Sequence, residues 1–184
     1  MDNFILWNVM EDSDTYRAFV LAERSRILEV SEMFASTKQL ADSWTPLDLD
    51  LFDEAGEESK HIADFMGAPF TPVLSVNGCK ILRNLLEKNV EFLPLKTPVN
   101  EYYAINVRPI DCLDVPNSIV ERASRTNRII SVRKYAFRWE QIVSVHMFRI
   151  KELGVSKLFA SNEFRKTYEE NYLTGLIFYP VSLV

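Results

Sequence analysis

VEFLPLKTPVNEYYAINVRPIDCLDVPNS, residues Val90–Ser118, holds two β-forming runs on either side of a short polar segment. VEFLPL and EYYAINV are rich in branched and aromatic residues, and KTPVN between them supplies the proline and asparagine of a turn. The stretch therefore reads as a β-hairpin. Pro94 has no N–H to give to a ladder, which puts the first strand at a sheet edge or makes it irregular there. The second strand runs into IDCLDVPNS, where Pro116 and Asn117 make a turn, and where Asp111 and Asp114 flank Cys112. Three residues apart on an extended chain, the two carboxylates point to opposite faces. They could share magnesium or divide acid and base roles only if a turn brought them together. Accepting backbone hydrogen bonds where a strand gives way to a loop is the simpler role.

Working outward, SVNGCKILRNLLEKN precedes the hairpin, with Ser75 placed to cap a helix and Cys79, Leu82, Leu85 and Leu86 on one apolar stripe. Cys79 thus reads as a core thiol. Downstream, IISVRKYAFRW and HMFRI read as strands, the first with a bulge near Arg133 where the alternation changes phase. Ser161 is placed to cap a helix carrying Phe164, Tyr168 and Tyr172, with Gly175 to end it and LIFYPV as a last strand. At the amino end, FILWNVM and YRAFVLA are strands. Ser25 to Phe34 is a helix offering Ile27, Leu28, Val30 and Met33 for burial, and TPLDLDLF is a single edge strand in an irregular connection. The expected class is α+β: a largely antiparallel sheet with helices packed on one side or edge.

With 184 residues, 47% hydrophobic and 12% aromatic, the chain has the composition of one packed domain rather than of a disordered or fibrous protein. The amino terminus shows no basic leader and no small-residue cleavage site, and no apolar run is long enough for a membrane span. Two cysteines make no disulfide framework and no metal knuckle, so a cytoplasmic protein with reduced thiols is expected.

The net charge of −5 conceals an asymmetry: residues 1–64 carry 15 acidic and 5 basic side chains, and residues 65–184 carry 11 and 16. The densest acidic run is DLDLFDEAGEES, with Asp48, Asp50, Asp53, Glu54, Glu57 and Glu58 uninterrupted by a basic residue. Such a run usually keeps a loop solvated, but it can also present a negative docking surface. Its oxygen spacing and displaced glycine do not fit an EF-hand calcium loop. The basic counterpart, residues 122–138, interleaves Arg122, Arg125, Arg128, Arg133, Lys134 and Arg138 with Tyr135, Phe137 and Trp139. Cations among aromatics can bind single-stranded nucleic acid, yet Ile130, Val132, Tyr135 and Phe137 also serve as ordinary strand positions. An acidic chain without a nucleic-acid motif argues against direct binding.

His61 and His146 have no neighbours at a metal-ligand spacing. HExxH, paired CxxC, GxSxG, the phosphate-binding GxxxxGK[ST] and GxGxxG are all absent from the sequence, so no metal or cofactor is expected.

The order of PVLSVNGCKILRNLLEKNVEFLPL, EYYAINVRPIDCLDVPNS, VRKYAFRW, HMFRI and LFASNEFRKTYEENYLTGLIFYPV resembles the eleventh numbered class of bacterial polymorphic-toxin immunity proteins, typified by a myxobacterial protein. The matching features are Leu74 and Ser75, Phe92 to Pro94, Asn106 and Val107, Asp111 to Asp114, and Thr174 and Gly175. The resemblance covers residues 65–184 of a single domain, leaving residues 1–64 as a more variable acidic portion. It implies protection from a cognate secreted toxin or effector by binding, without catalysis and without transferable catalytic residues. The acidic segment, Asp48 to Glu58, would suit a basic, nuclease-like toxin. The competing readings are a carboxylate-dependent hydrolase using Asp111 or Asp114, and a nucleic-acid binder using residues 122–138. Exposed β edges would also permit a homodimer.

Overall fold

The hairpin that opens the sequence reading is present, its first strand at the edge of a four-stranded sheet. The computed structural model describes residues 5–36, 38–53 and 60–184. The strands are β1 (Leu6–Glu11), β2 (Phe19–Leu21), β3 (Leu49–Leu51), β4 (Phe65–Met66), β5 (Val73–Ser75), β6 (Val90–Pro94), β7 (Tyr102–Val107), β8 (Pro109–Ile110), β9 (Ile119–Arg122), β10 (Ile129–Lys134), β11 (Met147–Ile150), β12 (Leu158–Ser161) and β13 (Leu176–Pro180). The α-helices are α1 (Ile27–Ala35), α2 (Val76–Leu86) and α3 (Asn162–Glu170).

The class is α+β, with the strands divided among four sheets rather than one. The larger two run β13-β1-β12-β11-β8 and β4-β5-β7-β6, and the pairs β2-β3 and β9-β10 stand apart from them. Among the paired strands of the described residues, only β8 against β11 is parallel, and isolated parallel bridges join, among others, Asp48 to Lys96 and Tyr135 to Leu183. The hairpin register places Val90 opposite Val107 and Pro94 opposite Tyr103. In the β9-β10 pair the register shifts between Val132 and Lys134, at the bulge expected near Arg133.

Strand alternation builds three apolar layers. On one face, Val9, Met147, Leu158 and Ala160 of the larger sheet join Leu74, Val90, Ile105 and Val107 of the smaller. Cys79, Leu82 and Leu86 of α2 cover them, with Phe164 and Tyr168 of α3. The reverse of the four-stranded sheet offers Val73, Leu93, Tyr102 and Ala104 to Phe19, Leu21, Val30, Phe34 and Leu49 from the amino-terminal third. The reverse of the five-stranded sheet offers Leu6, Phe148 and Phe159 to Ile129, Val132, Tyr135 and Phe137. Each such large side chain contributes about 1.5–3 kcal/mol by leaving water. The two outer layers explain why β2-β3 and β9-β10 pack as separate ribbons: each covers the back of a different sheet.

Polar clamps hold the segments in place. Ser75 caps α2, its Oγ accepting from the Gly78 amide at 3.0 Å, and Ser161 caps α3, accepting from Phe164 at 3.1 Å. The Asp64 carboxylate accepts from the Ser75 hydroxyl at 2.7 Å on one oxygen and from the Thr174 amide at 3.2 Å on the other. The Glu91 carboxylate accepts from the amides of Leu40 and Ala41 and from Asn106 Nδ2 at 2.6 Å. Trp44 Nε1 donates to the Pro94 carbonyl at 2.8 Å. Pro94 and Asn106, picked out in the sequence, thus help hold residues 40–44 against the smaller sheet.

Two helices differ from the sequence reading. In α1 the buried positions are Val30 and Phe34, while Leu28 is 75% exposed and Ile27 40%. The inward stripe runs from Val30 to Phe34, one turn apart, and Leu28 lies off it. Helix α3 ends before Tyr172, whose φ is +54° and which is 89% exposed. The Tyr172 amide donates to the Glu169 carbonyl and that of Leu173 to the Tyr168 carbonyl, so a tyrosine occupies the left-handed position that usually takes glycine. Leu173, one residue on, is the side chain that enters the core.

Gly175 does not end the helix; it lets two backbones meet. Its φ is +101°, and a Cβ there would stand 1.9 Å from the Phe65 carbonyl oxygen. Gly154 is also left-handed, at φ +61°, but open space surrounds it. Gly154→Ala should therefore cost about 1–3 kcal/mol from backbone strain alone. Gly175→Ala adds a backbone collision, and urea denaturation should show it as the more damaging of the two. Cys79 and Cys112 are buried, and burial pushes each thiol up to about 12. Both should resist iodoacetamide at pH 8 until the chain unfolds. The folded values lie above the unfolded thiol value of about 8.5, so their contribution to stability is complete below that pH and is lost as pH rises toward 12.

Candidate partner-binding surface

The acidic run begins on β3, where apolar and charged residues alternate. Leu47 and Leu49 are buried, and Asp48 and Asp50 between and after them are exposed, as is Asp53. The expected edge strand is found: β3 pairs antiparallel with β2, Asp50 opposite Val20 and Leu49 opposite Leu21. Its start is tied to the end of the hairpin strand β6. The Lys96 amide donates to the Leu47 carbonyl at 2.9 Å, and the Leu49 amide donates to the Lys96 carbonyl at 2.8 Å. Lys96 Nζ lies 3.5 Å from Asp48, an exposed pair worth little in stability. Glu23 and Asp48 share a shallow cleft of about 440 Å³ with Arg26. The structure thus brings Asp48, Asp50 and Asp53 together on one exposed segment; Glu54, Glu57 and Glu58 lie outside the described residues.

The aspartates of the Asp-Cys-Asp stretch are taken up by neighbouring side chains. Asp111 pairs with Arg138, whose Nη2 also donates to the Asp111 carbonyl at 2.9 Å. The Asp114 side chain accepts from Asn117 Nδ2 at 2.7 Å. Between them Cys112 is fully buried. The two carboxylates are engaged by side chains of different partners, Arg138 and Asn117, rather than by the backbone amides expected where the strand gives way to a loop.

The basic segment divides in two. Arg122, Arg125 and Arg128 cluster, exposed, at the tip of the β9-β10 hairpin, while Arg133 pairs with Glu121 and Arg138 with Asp111. Tyr135 and Phe137 are not free platforms for bases: they stack on one another at 5.6 Å and are 6% exposed, packed against Phe159. Single-strand binding of the interleaved type loses two of its three stacking partners here, Trp139 alone of them staying exposed.

The clefts give a similar answer. A cleft of about 620 Å³ is lined by Asp64, Ser75, Asn77, Glu101, Tyr102 and Thr174 among others. Both Asp64 oxygens already accept hydrogen bonds there, so the carboxylate is a tie between segments rather than a waiting base. Among the described residues, no group of three or more His, Cys, Asp or Glu side chains is arranged to hold a metal ion. None of their helices is long and apolar enough to cross a membrane. Sequence reasoning passed over Arg149, which is 4% exposed, because a lone arginine in HMFRI carries no spacing signal.

A search of curated proteins finds no match. The model of the immunity protein family (Imm11) matches residues 93–182, beginning in the second half of β6 and running through β13. Phe92, Leu74 and Ser75, which the sequence resemblance included, precede that span. Over residues 93–182 the chain is similar to the immunity protein family (Imm11).

Proposed function

We propose that the protein neutralises a cognate toxin by stoichiometric binding, without catalysis, and that Asp48, Asp50 and Asp53 form part of the docking face. The observation that carries the reading is the immunity-family match over residues 93–182, to which the exposed acidic strand is pinned through Lys96. Immunity of this kind needs fast capture and slow release. Like charges displayed on one edge raise the encounter rate with a basic partner, and they repel acidic competitors. A nuclease domain fits best, because its own substrate is a polyanion. Glu54, Glu57 and Glu58 extend the same run in sequence. Buried thiols fit action in the cytoplasm.

The test is the triple reversal Asp48→Lys, Asp50→Lys, Asp53→Lys, made in the full chain and coexpressed with the toxin from the neighbouring reading frame. Exposed charges away from the core should change stability by less than about 0.5 kcal/mol. The association rate at low salt should fall by about tenfold or more, its salt dependence should flatten, and protection of the host cell should weaken. Unchanged binding with unchanged salt dependence would remove this edge from the docking face.

A further inference from the structure

The row of side chains that forms the middle apolar layer ends in a buried cation without an anion. The ladder sets Phe148 opposite Phe159, and Leu158 opposite Val9. Continued by one residue, that register places Arg149 beside Leu158 and Val9, with Glu11 two residues further along β1 on the same face. All four line one pocket of about 340 Å³, together with Pro72, Ser156 and Lys157.

Arg149 is 4% exposed; its Nη2 donates to Thr71 Oγ1 at 3.2 Å, and its Nε is buried with no partner. A guanidinium has five donors in a rigid fork and stays charged in proteins, so this one is greatly under-used. No carboxylate among the described residues lies within ion-pairing distance of it. Glu11 acts on it only through space, opposing the fall in its pKa that burial causes. Lys157 also borders the pocket, but its ammonium turns to the reverse of the sheet, where it donates to the Tyr135 hydroxyl at 3.2 Å. The Ser156 hydroxyl already donates to the Leu153 carbonyl at 2.8 Å.

We propose that this pocket is a carboxylate-binding site, with Arg149 as the fork that grips the ligand. Glu11 at the same pocket opposes each added negative charge, which favours a monoanion over a doubly charged phosphate. The volume suits a small ligand. The carboxylate can come from a free small acid or from an acidic side chain of a protein partner; the recognition chemistry is the same. The site is independent of the β3 edge, so either can fail without the other.

The experiment follows the full chain, ¹⁵N-labelled in arginine, by its Nε–H signals and by thermal unfolding. Sodium acetate and a capped dipeptide bearing one glutamate are titrated against sodium chloride at equal ionic strength. A saturable shift of one Nε–H signal, with a rise in Tm that chloride does not reproduce, supports the site. Saturation by acetate assigns a free acid, and saturation by the dipeptide alone assigns a partner's side chain. Glu11→Gln should strengthen the apparent affinity by about threefold to fivefold, the scale of one partly exposed charge, and Lys157→Met, whose ammonium is taken up by Tyr135, should leave it within about twofold. Arg149→Met should abolish it. Since that variant can fail to fold, Glu11→Gln decides. No saturation by either probe, or an affinity indifferent to Glu11→Gln, overturns the proposal. So does a large loss of stability in Glu11→Gln without a carboxylate response, because Glu11 would then be the anion that neutralises Arg149.

Discussion

The Asp64 carboxylate is the constraint on which the arrangement of segments depends. It sits just before β4 and reaches the cap of α2 through Ser75 and the last turn through Thr174, a residue 110 positions away. The reverse bond, from the Asp64 amide to Thr174 Oγ1, closes the tie at 3.2 Å. Bonds to an ionised group contribute about 1.5–3 kcal/mol, and here they also fix where the end of the chain meets the smaller sheet. Gly175 follows because only a residue without Cβ can lie so close to Phe65. Ser75 and the Thr174–Gly175 pair, features of the family resemblance, are thus two sides of one joint.

That joint bears on how the immunity-type span relates to the rest. The match begins at residue 93, yet β1 lies between β12 and β13 at the heart of the larger sheet, and β4 and β5 complete the smaller one. Glu91 and Pro94 grip residues 40–44, and Asn106 donates to Glu91 and to the Lys38 carbonyl. A surface that varies with its partner needs a backbone that does not, and β3 has one. Its leucines are locked into the layer behind β7, while its aspartates face water. In the proposed docking, the energetic demands of folding and of recognition fall on alternate residues of one strand, so recognition can change without repacking the core.

Much of the fold was legible because it rests on local signals. The hairpin around KTPVN, the Ser75 and Ser161 caps, the edge position of Pro94 and the bulge near Arg133 are each set by a few neighbouring residues. What was not legible depends on distant partners. Leu28 looks as buriable as Val30 until the layer beneath α1 is in place. Tyr172 continues a four-residue repeat, and only tertiary packing of Leu173 turns the chain at that point. The division into several sheets came from which faces needed covering, a property no window of sequence contains. For the site, Asp48, Asp50 and Asp53 were readable as a charge run on an alternating strand. Asp64 and Arg149 were not, since each is a single polar residue whose meaning lies in groups far along the chain.

The account turns on binding through the β3 edge of a rigid scaffold, and amide hydrogen exchange of the chain, alone and saturated with its cognate toxin, tests it most directly. Exchange should slow across residues 47–53 and in the paired strand β2, while β5 and β7, already protected in the core, stay unchanged. Slowing confined to the β9-β10 hairpin, or no slowing anywhere while the toxin remains inhibited, would contradict it.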